Sequence, residues 1–159
     1  MHVLTCHLHC SQIEVANPKH KILNLGPQVV GKVVKQHIPI VNNSPAAITF
    51  TLALTPTTPA LQTPGVLSIA PTHPITLEGR GGTCKVEVVF RPQGRIPQFM
   101  EEVLLECAGL SQPLFVIKGS CLGMEISLDT VAIPFGAVVQ RSQTSRKIVM
   151  SNTGDMNAK

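Results

Sequence analysis

The sequence predicts an all-β protein, a two-sheet β-sandwich of about seven short strands followed by the truncated start of a second one. Three observations carry that prediction. Thirteen Pro and twelve Gly are spread along the 159 residues, which leaves little room for ordinary helices but suits short strands joined by turns. Trp and Tyr are absent and Phe occurs five times, so Val, Ile and Leu must build the core. Apolar residues recur at every second position, and no window of about eleven residues fits the i, i+3, i+4, i+7 helical pattern better than it fits alternation.

Residues 1–21 show no sustained period and hold four of the six His, so they read as a lead-in, with a short strand near residues 12–15. The first sandwich is expected over residues 22–122. Its first run, residues 22–25, stops at Gly26-Pro27. Residues 36–42 place Ile38 and Ile40 on one face and His37, Pro39 and Val41 on the other, and Asn43-Ser44-Pro45 makes a turn. Residues 47–54 alternate most clearly, with Ile48, Phe50, Leu52 and Leu54 opposite Thr49, Thr51 and Ala53. The Pro- and Thr-rich residues 55–64 cannot pair continuously, because each Pro lacks an N–H, and form a loop.

Residues 66–70 and 75–77 are expected as short edge strands, and Glu78-Gly79-Arg80-Gly81-Gly82 as a turn. Residues 83–91 set Cys84, Val86, Val88 and Phe90 against Lys85, Glu87 and Val89 until Pro92 ends the strand. Residues 101–107 set Val103, Leu105 and Cys107 against Glu102, Leu104 and Glu106, and residues 114–118 close the unit before Gly119 and Gly123.

Residues 123–128 then read as a linker and residues 129–159 as the first strands of a second unit. Aligning Gly26 with Gly136 pairs Val29 with Val139, Ile38 with Ile148, Ile40 with Met150 and Asn42 with Asn152, a constant offset of 110 residues. A domain-sized offset points to duplication. Strands without a partner sheet cannot bury Val149, or Ile148 and Met150, so this segment is expected to be disordered or only loosely docked.

Charge narrows the function classes. Thirteen basic residues against nine acidic ones leave a net charge of +4, and eight of the basic residues but three of the acids lie in the first hundred positions. The basic residues are scattered singly and no stacking Tyr or Trp accompanies them, which argues against nucleic acid as a partner. No segment approaches about eighteen consecutive apolar residues, so no membrane span is expected.

The opening residues lack the basic and apolar regions of a signal peptide, and five cysteines cannot all pair, so a reducing compartment is expected. Cys84 and Cys107 then serve as free core thiols, and a disulfide between them would favour an extracellular adhesion sandwich instead. Cys6, His7, His9 and Cys10, with His2 nearby, are of metal-ligand type. Structural zinc sites draw ligands from two separated loops, and neighbours in an extended segment point apart, so no metal site is expected there. Cys84, Cys107, His37 and His73 are the candidates for nucleophilic catalysis, but the thiols face inward and no acid adjoins His73, so no catalytic residue is expected.

Val88-Val89-Phe90-Arg91-Pro92, a strand ending in Phe-x-Pro, precedes an apolar strand and a last one closing on Lys118-Gly119-Ser120. In these residues the sequence resembles the PapD-like, immunoglobulin-like domains shared by major sperm protein and by ciliary and centrosomal proteins, where they are called ASH domains. Asn42-Asn43-Ser44 and Asn152-Thr153-Gly154 resemble the turn that closes this family's second strand. The resemblance covers residues 22–122 and restarts near 129. Many members have Gly-x-Tyr before the next strand, where this chain has Gly94-Arg95-Ile96-Pro97-Gln98-Phe99.

Residues 131–142 and 150–155 resemble a ciliary branch of the family built as long arrays of such domains. The resemblance implies a non-enzymatic scaffold of the central pair apparatus in the motile-cilium axoneme, with no cofactor or metal. Implied partners are central-pair proteins, microtubules and neighbouring repeats, and the implied location is the cytoplasm, cytoskeleton and axoneme. Docking is expected through the edge strand at residues 66–70 or a basic face including Lys32, Lys35, Lys85 and Arg91. An alternative is an adaptor module that binds an acidic peptide on that face.

Overall fold

The computed structural model describes residues 10–158. Eleven strands follow in order: β1 (Ile13–Val15), β2 (Ile22–Val29), β3 (Val34–Asn42), β4 (Ile48–Leu54), β5 (Leu67–Ala70), β6 (Ile75–Leu77), β7 (Gly82–Phe90), β8 (Ile96–Cys107), β9 (Leu110–Leu122), β10 (Ile126–Leu128) and β11 (Met150–Asn152). One sheet has the order β1-β3-β7-β5 and the other β2-β9-β8-β4-β6. All pairs in them are antiparallel except β2 with β9, which run parallel.

Each sheet turns its apolar face inward. Ile38 and Ile40 of β3, Val86, Val88 and Phe90 of β7, Val103 and Leu105 of β8, and Phe115 and Ile117 of β9 meet in one buried cluster. Each such side chain contributes about 1.5–3 kcal/mol by leaving water. The faces follow the alternation in the sequence. The 55–64 loop contains the 3-10 turn Pro59–Leu61, which drops Leu61 into the core.

The sandwich reaches further toward the N-terminus than residue 22. Ile13 and Val15 are buried, and β1 pairs with β3 in the register Ile13↔Asn42 and Val15↔Ile40. Three residues are too few to display a period, so the sequence showed only a short strand in a lead-in. β9 also begins earlier than residue 114. Cys107 pairs with Leu110, leaving a two-residue turn of Ala108 (φ 51°) and Gly109 (φ 78°), the left-handed pair that a tight hairpin needs.

Cys107 is not a free thiol. It forms a disulfide with Cys10, both residues are buried, and the bridge closes 97 residues of sequence between the start of the chain's described part and the end of β8. Cys84 and Cys121 are the free cysteines among the described residues. Cys10 lies 97 residues from Cys107 beside three other residues of metal-ligand type, Cys6, His7 and His9, so nothing in the local spacing marks it as the partner.

Two buried polar side chains organise the connections. Asn42 closes β3: its Nδ2 donates to the carbonyls of Ala46 (2.9 Å) and Leu77 (3.1 Å), and its Oδ1 accepts from the Ser44 N–H (2.9 Å). Glu101 of β8, only 2% exposed, accepts from the backbone N–H groups of Thr57 and Thr58, both at 2.9 Å, and from the Thr57 hydroxyl. A carboxylate thus ties the Pro-rich loop to the sheet. Burial pushes the Glu101 pKa up, but the Thr57 and Thr58 hydrogen bonds together outweigh it and hold the carboxyl below its ordinary value.

The second repeat reproduces the first turn by turn. β10 pairs with β11 in the register Ile126↔Asn152 and Leu128↔Met150, the counterpart of β1 with β3. Asn152 Oδ1 accepts from the Gly154 N–H (3.0 Å) and its Nδ2 donates to the Met156 carbonyl (2.7 Å), the same i+2 and i+4 contacts that Asn42 makes. Gly26 and Gly136 share a left-handed backbone, φ 67° and 65°, and Gly31 (φ 83°) is matched by Arg141 (φ 68°). The Lys32 N–H bond to the Val29 carbonyl (3.2 Å) likewise recurs from Ser142 to Val139 (3.0 Å). Residues 123–128 therefore contain a strand of the second repeat.

Burial separates the two copies. Ile38 and Ile40 are 0% exposed, whereas Ile148 and Met150 are 46% and 67% exposed. The second copy has no counterparts of β7–β9 among the described residues, so its local turns form while its apolar positions face solvent.

The contrast sets a paired expectation. Asn42→Ala removes the buried hydrogen bonds to the Ser44 N–H and the Leu77 carbonyl, and one of the two that the Ala46 carbonyl accepts, and should cost about 2–3 kcal/mol in urea unfolding, whereas Asn152→Ala, exposed, should cost under about 0.5 kcal/mol. For Glu101 the folded pKa is depressed, so its contribution is present above the unfolded pKa and is lost as pH falls through the folded one. Glu101→Gln should destabilise the fold by about 1–3 kcal/mol at neutral pH and flatten the acid limb of stability measured against pH.

Candidate functional site

No helix among the described residues is long and apolar enough to cross a membrane. The surfaces that could do work are the sheet edges, the charged outer face of β3 and β7, and the joint between the repeats. Each follows from the strand order.

β5 is an edge of the first sheet, as expected: it pairs with β7 on one side, through Leu67↔Phe90 and Ala70↔Glu87, and among the described residues no strand pairs with its other side. β1 is the opposite edge, and β2 and β6 are the edges of the second sheet. All four run eight residues or fewer. Short edges present little unpaired backbone to a neighbouring strand.

The basic face is partly neutralised by the strand register. His37 pairs with Glu87 and Lys35 lies two residues away on the same face, so the Glu87 carboxylate stands 3.4 Å from His37 Nε2 and 4.0 Å from Lys35 Nζ. Lys85 also points outward from β7. One acid at the centre of the basic residues weakens any acidic-peptide site there.

The candidates for catalysis do not form a site. Cys107 is oxidised, and Cys84 lies opposite Ile40 with its thiol pKa raised by burial, which disfavours the nucleophilic thiolate. His37 faces Glu87, and His73 Nδ1 lies 3.0 Å from the Pro74 carbonyl. Of the metal-ligand candidates, His2, Cys6, His7 and His9 lie outside the described residues, and Cys10 is spent in the disulfide. Among the described residues no group of three or more His, Cys, Asp or Glu is placed to hold a metal ion.

A shallow groove lies where β2 and β8 both slip register against β9, near Gly119. Lys118, Asn24, Gln98 and Ser120 line it, with Met100 and Leu122 supplying apolar surface. The slip in β8 falls between Ile96 and Phe99, within the segment where the sequence departs from the family pattern. The departure is absorbed by a bulge, and Phe99 packs on Phe90 with ring centroids 5.4 Å apart.

The joint is built around Arg95, in the β7–β8 turn, which sequence reading passed over as part of an unusual hairpin. Its Nε and Nη2 donate to the two carboxylate oxygens of Asp155 (2.8 and 3.3 Å), and its Nη1 donates to Glu125 (2.9 Å). The hydrogen bond from Arg95 holds the Asp155 carboxyl below its ordinary value against an opposing effect of burial. Acids 30 and 60 residues away carry no local signal that they converge on one guanidinium.

No protein-family model matches the chain. The human hydrocephalus-inducing protein homolog is 48% identical over 148 residues, which is 93% of this chain. The mouse hydrocephalus-inducing protein is 41% identical over 145 residues, or 91% of it. The chain spans only 3% of the length of either relative. Among solved structures, the ASH / PapD-like domain 7 of human CEP192 superposes with a TM-score of 0.52 at 17% identity, covering 72% of this chain and 87% of that one, a likeness of fold. By sequence this chain is a close relative of one short stretch of the hydrocephalus-inducing proteins, and by fold it is an all-β sandwich that resembles the ASH / PapD-like immunoglobulin-type domain.

Proposed function

We propose that the chain is a non-enzymatic scaffold module of the motile-cilium axoneme, acting at the central pair apparatus and supporting ciliary movement. One observation supports the reading: the 48% identity to the human hydrocephalus-inducing protein homolog runs across 93% of the chain, including both sides of the link at residues 123–125. Its mechanism is positional. A sandwich with short edges and no assembled catalytic group among the described residues works by presenting surface at a fixed place in an array. The partners in this reading are central-pair proteins, microtubules and neighbouring repeats, and the location is the cytoplasmic cytoskeleton of the cilium. In multiciliated epithelial cells the tagged chain should concentrate along the axoneme and resist detergent extraction. A uniform, detergent-soluble distribution would sink the reading.

The Cys10–Cys107 bridge favours a second reading. Disulfides persist in oxidising compartments and are rare in the cytosol, so a bridged chain fits an extracellular adhesion sandwich. Alkylation of freshly lysed cells under denaturing conditions, without reductant, separates the two. In the reducing cytoplasm of a cilium the bridge would be held open by cellular thiols, so mass spectrometry should find Cys10 and Cys107 alkylated like Cys84 and Cys121, whereas protection of that pair alone would favour the extracellular reading.

A further inference from the structure

We propose that Arg95, Glu125 and Asp155 form a clamp that sets the angle between consecutive repeats, so that the array is stiff at this joint. The inference deepens the scaffold reading and rests on it for its biological meaning.

The covalent connection is short. β9 ends at Leu122 and β10 begins at Ile126, so Gly123, Met124 and Glu125 are the whole link. The chain doubles back on it: the N–H groups of Asp155 and Met156 donate to the Gly123 carbonyl (2.8 and 3.3 Å), and the Thr153 N–H donates to the Glu125 carbonyl (2.9 Å). Gly154 is sterically required at the joint, and Gly123 is closely packed. A Cβ on Gly154 would collide with the Gly123 carbonyl and the Met124 and Glu125 backbone, and one on Gly123 would press on Arg95. The joint is therefore packed backbone to backbone, with Arg95 of the first repeat directly over it.

Geometry then decides what Arg95 does. A planar guanidinium that reaches both oxygens of one carboxylate fixes orientation as well as distance, which a single point charge does not. Here the fork holds Asp155, beyond β11, while Nη1 holds Glu125, ahead of β10. It thus grips both ends of the second repeat's opening hairpin. The acids are not part of the repeat's own fold. The counterparts of Glu125 and Asp155 in the first repeat are Gln12 and Pro45, at the offsets that superpose β1 on β10 and β3 on β11. The repeat folds without acids at those places, so their presence here belongs to the joint.

Isolated surface ion pairs stabilise little, and the clamp is expected to govern relative orientation while leaving the stability of the first sandwich alone. Amide hydrogen exchange on the full chain reads this directly. Arg95→Ala should speed exchange at the Asp155 and Met156 amides by roughly tenfold while the Ile38 and Val86 amides keep their protection. Asp155→Asn should act in the same direction, and the swap of Arg95→Asp with Asp155→Arg should restore slow exchange. If neither single variant changes exchange at Asp155 and Met156, there is no clamp. That result leaves the axonemal reading standing, just as a failure to reach the axoneme would leave the clamp standing.

Discussion

Mutual coverage of the two sheets is the constraint on which the rest of this molecule depends. The protein carries its own control, because the same opening strands occur twice. With β7, β8 and β9 present, Ile38 and Ile40 disappear from solvent, and at the matching places in the second repeat Ile148 and Met150 stay in it. Local sequence is similar in the two copies, so the difference in burial comes from the covering elements. A strand's pattern states which face ought to be buried, and the burial itself needs a second sheet.

What survives in the second repeat shows which interactions are local. The Asn152 turn, the left-handed turn at Arg141 and the β10–β11 pairing use partners a few residues away or one facing strand, and they form. Arg141 takes the backbone conformation that Gly31 has in the first copy, which an L side chain adopts only at a cost of about 1 kcal/mol or more. The residues equivalent to β2 form no strand, since β2 depends on its parallel neighbour β9.

The polar chemistry of the chain is spent on connections between elements. Glu101 ties a Pro-rich loop to a strand, Asn42 ties the end of β3 to the end of β6, and Arg95 ties one repeat to the next. In each case a charged or amide side chain satisfies backbone or carboxylate groups that secondary structure leaves open. On the outer face of the sandwich Glu87 of β7 likewise stands between Lys35 and His37 of the neighbouring β3. A protein organised this way has its distinctive residues at joints, which suits a positional role.

The sequence by itself determined the fold class, the faces of the main strands and the edge position of β5, and it carried the 110-residue offset at which the Asn turn recurs. All of these are written in periods and offsets along the chain, and a gapless comparison reads them. The pairing of β1 with β3 escaped because its second-copy equivalent lies at an offset of 113, not 110, so one alignment cannot show both. The disulfide, the burial of Glu101 and the Arg95 joint were decided by the tertiary structure alone. Each joins residues 30 to 97 positions apart whose types, taken singly, have commoner explanations: a core thiol, a solvated acid, an exposed base. Periodicity records how a residue relates to its near neighbours. Only the packing of one sheet on another, and of one repeat on the next, brings distant side chains into contact and gives them a task.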